Sequence, residues 1–151
     1  MRAVVQRVSS ARVTVDRRTV GEIPQGGLLI FLGVGPRDTA ADGEWLAQKI
    51  ARLRIFADAE GQMNRSVVEL NGGLLDASQF TLFASTRKGT RPSFNDAAPP
   101  ALGRELYETF LTQLATAAAR PIASGQFGAH MDVSLVNDGP VTLWLDTERK
   151  D

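Results

Sequence analysis

The chain has 151 residues, 43% of them apolar, and its 17 basic and 17 acidic side chains cancel. That length suits one domain over residues 1–151, able to bury roughly 70% of its unfolded surface, and zero net charge leaves any nucleic-acid contact to a local patch. With no cysteine and a single histidine, disulfides, thiolate nucleophiles and cysteine-held zinc are excluded, so a reactive site must rest on hydroxyls, main-chain amides or a group carried by the substrate.

Along the chain, the start is interrupted by Arg2, Gln6 and Arg7, too soon for a secretory leader. The longest apolar run, residues 28–34, is far short of the ~20 residues a membrane helix needs. Both features predict a cytoplasmic protein without a membrane contact. Val13 and Val15 alternate with polar neighbours, Asp16-Arg17-Arg18 forms a turn, and residues 19–23 extend again. Pro24-Gln25-Gly26-Gly27 breaks the chain before residues 28–32, whose unbroken apolar run suits a strand buried on both faces. Gly35-Pro36-Arg37-Asp38 ends that strand, and Asp38 or Thr39 can cap the helix that follows. Leu46, Ile50 and Leu53 form its core stripe.

Asp58-Ala59-Glu60-Gly61 and Asn71-Gly72-Gly73 are turns. Residues 73–84, which contain Ser78-Gln79-Phe80-Thr81-Leu82, carry a strand's alternation and composition. A polar loop over residues 85–98 leads to Pro99-Pro100, where a helix start tolerates proline. Leu102, Leu106, Phe110 and Leu114 mark one face of that second helix, and Pro121 terminates it. The chain then finishes in two strands joined at Asn137-Asp138-Gly139-Pro140. One echo runs through it: Gly26-Gly27-Leu28-Leu29 and Gly72-Gly73-Leu74-Leu75 each open an apolar strand. The four shared letters fit either two equivalent sheet positions or coincidence.

Few side chains can carry chemistry. Phe127, Ala129, Met131, Val133 and Leu135 share one face of a strand, which turns His130 the other way with Asp132 and Ser134. Such an arrangement does not build a Ser-His-Asp relay, and His130 reads as a solvated surface residue. In the Ser78–Leu82 segment an unassisted hydroxyl is a weak nucleophile, and the sequence offers no base for Thr81. Main-chain N–H groups where that strand ends or bulges are the alternative, since they stabilise an oxyanion without titrating. Arg87-Lys88-Gly89-Thr90-Arg91 follows directly, as a phosphate-binding cluster or as a solvated loop. No spacing of metal ligands appears and no cofactor is implied.

Six segments in order resemble the D-aminoacyl-tRNA deacylases of bacteria and eukaryotes. They are Val5-Gln6-Arg7-Val8, Leu53-Arg54-Ile55-Phe56, Ser78-Gln79-Phe80-Thr81-Leu82, Lys88-Gly89-Thr90-Arg91-Pro92-Ser93-Phe94, Phe127-Gly128-Ala129-His130-Met131 and Asn137-Asp138-Gly139-Pro140-Val141-Thr142. The resemblance implies an α/β fold of mixed and antiparallel sheet, closed into a barrel-like core with two main helices outside. It implies a homodimer that hydrolyses the ester between a D-amino acid and the 3′ end of tRNA; no DNA partner is inferred. It also implies that Gly139-Pro140 is cis and enters the partner's active site, where its carbonyls leave no room for an L-side chain. Ser78, Phe80 and Thr81 would lie beside the ester, and Arg7 would brace the Gly-Pro loop. Phe127 and Met131 would line the site of the terminal adenosine, with Gln79, Arg87, Lys88 and Arg91 also on the tRNA side. A sister branch that prefers glycine or L-alanine carries a trans Gly-Pro, and Arg7 points to the D-specific branch.

Overall fold

Strand β1 (Arg2–Val15) is the spine of the molecule, because its 14 residues pair with three other strands. The computed structural model describes residues 1–150. On one edge, β1 takes β3 (Gly27–Gly33) against its first half and β2 (Arg18–Ile23) against its second, both antiparallel. Its other edge carries β8 (Asp132–Asp146) along almost its whole length. Beyond β3 the sheet continues in parallel through β6 (Gly73–Ser78) to the short β7 (Ala123–Ser124).

The sheet curls until β2 meets β7, which makes a nearly closed barrel. Gly21 marks that closure: a Cβ there would stand 2.5 Å from the Ser124 carbonyl oxygen and 3.0 Å from Leu75. Val8, Ala11, Val13, Ile23, Leu29, Leu75 and Ala77 fill the interior. The outer face of the same strands carries Ala3, Val5, Leu28, Ile30, Leu32 and Leu74, covered by α1 (Ala40–Arg52) and α2 (Pro100–Ala118). Leu28 and Leu29 thus belong to different cores, as expected of a strand buried on both faces.

Local chemistry sets the helix ends. Thr39 is the N-cap of α1, and its N–H and hydroxyl both donate to Asp42 at 2.9 Å. Asp38 instead accepts the Gly35 N–H at 2.6 Å. Pro100 occupies the first turn of α2, and Ala119 in the left-handed region ends the helix two residues before Pro121. A small hairpin, β4 (Phe56–Ala57) and β5 (Met63–Arg65), flanks the predicted 58–61 turn. Among the described residues no helix is long and apolar enough to cross a membrane. The Gly-Gly-Leu-Leu echo falls on adjacent strands in register, with Gly27, Leu28 and Leu29 opposite Gly73, Leu74 and Leu75. A Cβ at Gly27 would overlap the Gly73 carbonyl, so the glycines allow the two backbones to meet.

Three expected strands take another course. The one over residues 73–84 stops at Ser78, because its neighbour β3 ends at Gly33 and offers no further ladder. Gln79 N–H makes a last bond to the Leu32 carbonyl at 2.7 Å, and the chain winds into a 3₁₀ turn, Phe80–Phe83. The two final strands are one strand, since both halves of β8 pair with β1; residues 138–141 are pushed out between Asn137, opposite Val8, and Thr142, opposite Gln6. Lastly, residues 127–131 precede β8 in a turn held by Ala129 N–H to Gln126 O at 3.2 Å, with Gly128 at φ 77°. Phe127 and Met131 therefore do not share a strand face.

Barrel closure makes a test. Gly21→Ala places a methyl against fixed main chain, and the variant is expected to lose on the order of 1–3 kcal/mol in urea unfolding. An unchanged midpoint would mean that β2 and β7 are not packed as described.

Candidate active site

The end of β6 builds the site. β3 and β6 run parallel and finish together, with Leu32 opposite Ser78, and the mouths of such strand ends are where α/β sheets present ligand crevices. Gly33 lets the 3₁₀ turn fold back over β3: a Cβ there would sit 2.9 Å from the Gln79 carbonyl oxygen and 3.1 Å from Leu82. Above this floor lies a cleft of about 310 Å³. Leu32, Val34, Ser78 and Phe80 form one wall, Phe94, Ala97 and Ala98 a second, and Pro100, Gly103 and Tyr107 of α2 a third, with Phe127 and Gly128 at the rim.

The lining is mostly apolar and aromatic. Phe80 is 57% exposed and meets Phe94 edge-on, with ring centroids 5.1 Å apart. Phe127 leans on Tyr107 at 5.7 Å, and the Arg104 guanidinium lies over it at 4.9 Å. Thr81 follows Phe80 in the 3₁₀ turn and, like Gln79, is not part of the cleft lining. Its hydroxyl accepts a hydrogen bond from the Gln79 side-chain amide, a group that cannot remove its proton. A 3₁₀ turn bonds each N–H to the carbonyl three residues back, so its leading donors, those of Phe80 and Thr81, have no partner within the turn.

The remaining predicted residues fall into separate places. Ser85 and Ser93 pair main chain to main chain at 2.8 and 2.9 Å, pinching off a loop that displays Arg87, Lys88 and Arg91, all exposed. None of these three has a salt-bridge partner among the described residues. Phe94 ties the loop's base to Phe80 and so to the cleft. Met131 lies away from the cleft lining and packs on the barrel interior beneath Gly125. His130 is 94% exposed in its side chain, 3.7 Å from Asp132.

Gly139 and Pro140 form an exposed tip, joined by a cis peptide, and neither lines the cleft of its own chain. Arg7 sits under the tip. Its Nε donates to the Asp138 carbonyl at 3.1 Å and pairs with the Asp138 carboxylate at 3.2 Å, while Nη1 donates to Ile55 O at 2.6 Å. Gly139 has φ 126°, and a Cβ there would stand 2.9 Å from Arg7 Nη2. Among the described residues no group of three His, Cys, Asp or Glu side chains could hold a metal ion.

Sequence reading missed two groups here. Tyr107 looks like another apolar position of α2, yet its hydroxyl donates to the Asp76 carbonyl at 3.2 Å. Asp76, on β6 two residues before Ser78, is fully buried, and neither carboxyl oxygen has a hydrogen-bond partner. Burial pushes this carboxyl well above the usual carboxylate range, and the Tyr107 hydroxyl only partly opposes it. The Tyr107 phenol is pushed up in turn, first by burial and then by Asp76. An acidic residue inside the apolar run Leu74-Leu75-Asp76-Ala77 was the available signal.

A sequence profile of the family described as D-Tyr-tRNA(Tyr) deacylase matches residues 4–146. The D-aminoacyl-tRNA deacylase of Opitutus terrae is 64% identical over 151 residues, covering 100% of both chains. That of Thermotoga petrophila is 54% identical over 149 residues, 99% of each. Among solved structures, a c-Myc DNA unwinding element binding protein superposes with a TM-score of 0.89 at 38% identity, over 97% of this chain and 98% of that one. A probable eukaryotic D-amino acid tRNA deacylase gives 0.80 at 18% identity, over 95% and 97%, a likeness of fold alone.

Asp76 makes stability depend on pH. The folded chain holds the proton above about pH 4, where an unfolded aspartate releases it, so stability falls as pH rises from there toward the elevated folded value. Asp76→Val is expected to abolish that fall and to gain on the order of 1–3 kcal/mol at pH 7. Urea melts from pH 4 to 8 measure it, and parallel profiles for the two proteins would refute the assignment.

Proposed function

The chain belongs to the D-Tyr-tRNA(Tyr) deacylase family and is a hydrolase of D-aminoacyl-tRNA, and we propose that it works by orienting an activated ester rather than by a nucleophilic side chain. The terminal adenosine of the tRNA occupies the apolar cleft, with Phe127 at its edge. The ester carbonyl lies at Ser78, Phe80 and Thr81, and Gln79 holds the Thr81 hydroxyl in place. Water attacks the ester, assisted by the neighbouring ribose 2′-hydroxyl. The free N–H groups at the start of the 3₁₀ turn receive the developing oxyanion. The observation that carries this reading is the Thr81 hydroxyl, whose partner is an amide and not a base.

Handedness is judged by the second protomer of a homodimer. The Gly139-Pro140 tip is exposed, braced by Arg7, and absent from its own cleft, which suits a part that completes another chain's site. β8 is an edge strand with a free side and exposed Val136 and Trp144, 56% and 52% accessible, a surface apt for a partner. Main-chain carbonyls of the tip meet the substrate at Cα, where they exclude an L-side chain and leave D-side chains of many sizes free. Glycine, with no side chain to exclude, is cleaved as well. The loop cations Arg87, Lys88 and Arg91 contact tRNA phosphates. Zero net charge and zero cysteines suit a cytoplasmic enzyme, and no metal or other cofactor takes part in this reading.

Replacing the terminal adenosine by 2′-deoxyadenosine is expected to cut turnover of D-Tyr-tRNA by on the order of 10²-fold or more with binding retained, whereas Thr81→Val costs about tenfold or less. The reverse pattern would make Thr81 the nucleophile. D-Tyr-, D-Asp- and Gly-tRNA should all be cleaved and L-Tyr-tRNA spared; strict preference for one D-side chain would overturn the tip as selector. Duplex DNA is expected not to compete with tRNA for the enzyme.

A further inference from the structure

The four residues that β8 pushes out need a closed neck if their tip is to point in one direction. Asn137 and Thr142 stand at that neck, paired with Val8 and Gln6 of β1. The Asn137 amide nitrogen donates to Thr142 Oγ1 at 2.9 Å, and its carbonyl oxygen accepts the Val141 N–H at 3.0 Å. Gln6 Nε2 donates to the same Thr142 oxygen at 3.2 Å, tying the neck to the sheet. We propose that Asn137 is a positioning residue for stereochemical selection, acting with Thr142 and Gln6 to fix where Gly139-Pro140 points. The inference rests on the reading that this tip enters the partner's site.

The bonds on the two sides of the loop have different jobs. Arg7 grips the loop at Asp138, at its entry. Without Asn137 the exit is held less firmly, because the Val141 N–H loses its acceptor and only the packing of Val141 on the core and the pairing of Thr142 with Gln6 remain. The Gly139-Pro140 tip then gains freedom between the Arg7 contact and the ladder at Thr142. A backbone selector works only while its carbonyls stay put, so a swinging tip admits the wrong isomer before it harms the right one. Asn137, Gln6 and Thr142 do not line the cleft, so their loss leaves the ester-binding groups in place.

The test compares kcat/KM for D-Tyr-tRNA and L-Tyr-tRNA in the full-length enzyme and in Asn137→Ala, Asn137→Asp, Thr142→Val and Gly139→Ala variants. With two hydrogen bonds lost, Asn137→Ala is expected to lower the D over L ratio about tenfold through faster L-Tyr-tRNA cleavage, with the D-substrate changed by about threefold or less. Asn137→Asp should retain most of the ratio, since its carboxylate can accept from both Val141 N–H and the Thr142 hydroxyl. Thr142→Val should share the loss and stands in if Asn137→Ala fails to fold. Equal loss on both isomers, or an unchanged ratio in Asn137→Ala and Thr142→Val beside a lowered one in Gly139→Ala, would overturn the neck's role and leave the tip's standing. An unchanged ratio in Gly139→Ala as well would overturn the tip reading and this inference with it.

Discussion

Arg7 keeps regular pairing with Leu28 on the β3 side of the sheet while facing four residues, 138–141, on the β8 side. That single mismatch is the constraint from which the loop's form follows. Extra residues in one strand of an antiparallel pair must leave the ladder, and here they leave it as a compact projection. Ser9 on β1 is left over in the opposite sense one step later, which leaves β8 a net two residues longer and brings the alternation of side chains back into phase. The guanidinium of Arg7 fills the space beneath the projection, bonded to Asp138 above and to Ile55 behind. Side chain and register therefore support one another. An arginine without the expelled residues would lose both Asp138 contacts and keep only Ile55, and the expelled residues without the arginine would have an open underside.

The cleft follows a different logic. Its walls come from the ends of two parallel strands, a loop and one helix, and nearly every contact in it is apolar or aromatic. Water is poorly held by such a lining, whose polar side chains are Ser78 and a tyrosine, Tyr107, already bonded to the Asp76 carbonyl. This is a setting for positioning a substrate that is already reactive. It is a poor one for generating a strong nucleophile, which needs a base within reach. Asp76 does not contradict this, although it lies close by on the same face of β6 as Ser78. Fully buried without a hydrogen-bond donor, its carboxyl is pushed by desolvation toward the protonated form, which is no base. Its effect is on stability, through the desolvation of a group that the core would do better without.

Much of this was legible from residue order because strong local signals agreed with the tertiary outcome. The unbroken apolar run of β3, the Thr39 cap with Asp42 and the Pro100 start of α2 each act within a few residues. Failures came where a neighbour decided. Residues 79–83 have a strand's composition, but β3 stops at Gly33, and a strand cannot continue without an edge to pair with. Val133 and Leu135 keep the alternation expected of them, whereas Phe127 was assigned to their face although Gly128 turns the chain between. The end of the chain reads as two strands joined at Asn137-Asp138-Gly139-Pro140 because those residues are good turn chemistry. Only the pairing of both halves with β1 reveals a projection from a continuous strand. Asp76 and Tyr107 meet across 31 residues of sequence, a distance at which no local pattern speaks.

In the proposed reading, selection and chemistry stand on different parts of the chain. The groups proposed to face the ester belong to the β6 end and the 3₁₀ turn; the proposed selector belongs to a projection of β8 that is missing from its own cleft. In the proposed dimer these two parts meet only across the interface, so each protomer supplies the fence for its neighbour's field. Such a division separates two demands that conflict in a single pocket. A pocket shaped to a side chain gains selectivity by contact and loses breadth, since each added contact excludes some substrates of the right hand. A rigid main-chain obstacle at Cα makes no contact with the accepted side chain at all, so it can be strict about handedness and indifferent to size. The hydrogen bonds of Arg7, Asn137 and Thr142 lie around the obstacle and not around the substrate, which is where such a device needs its stiffness.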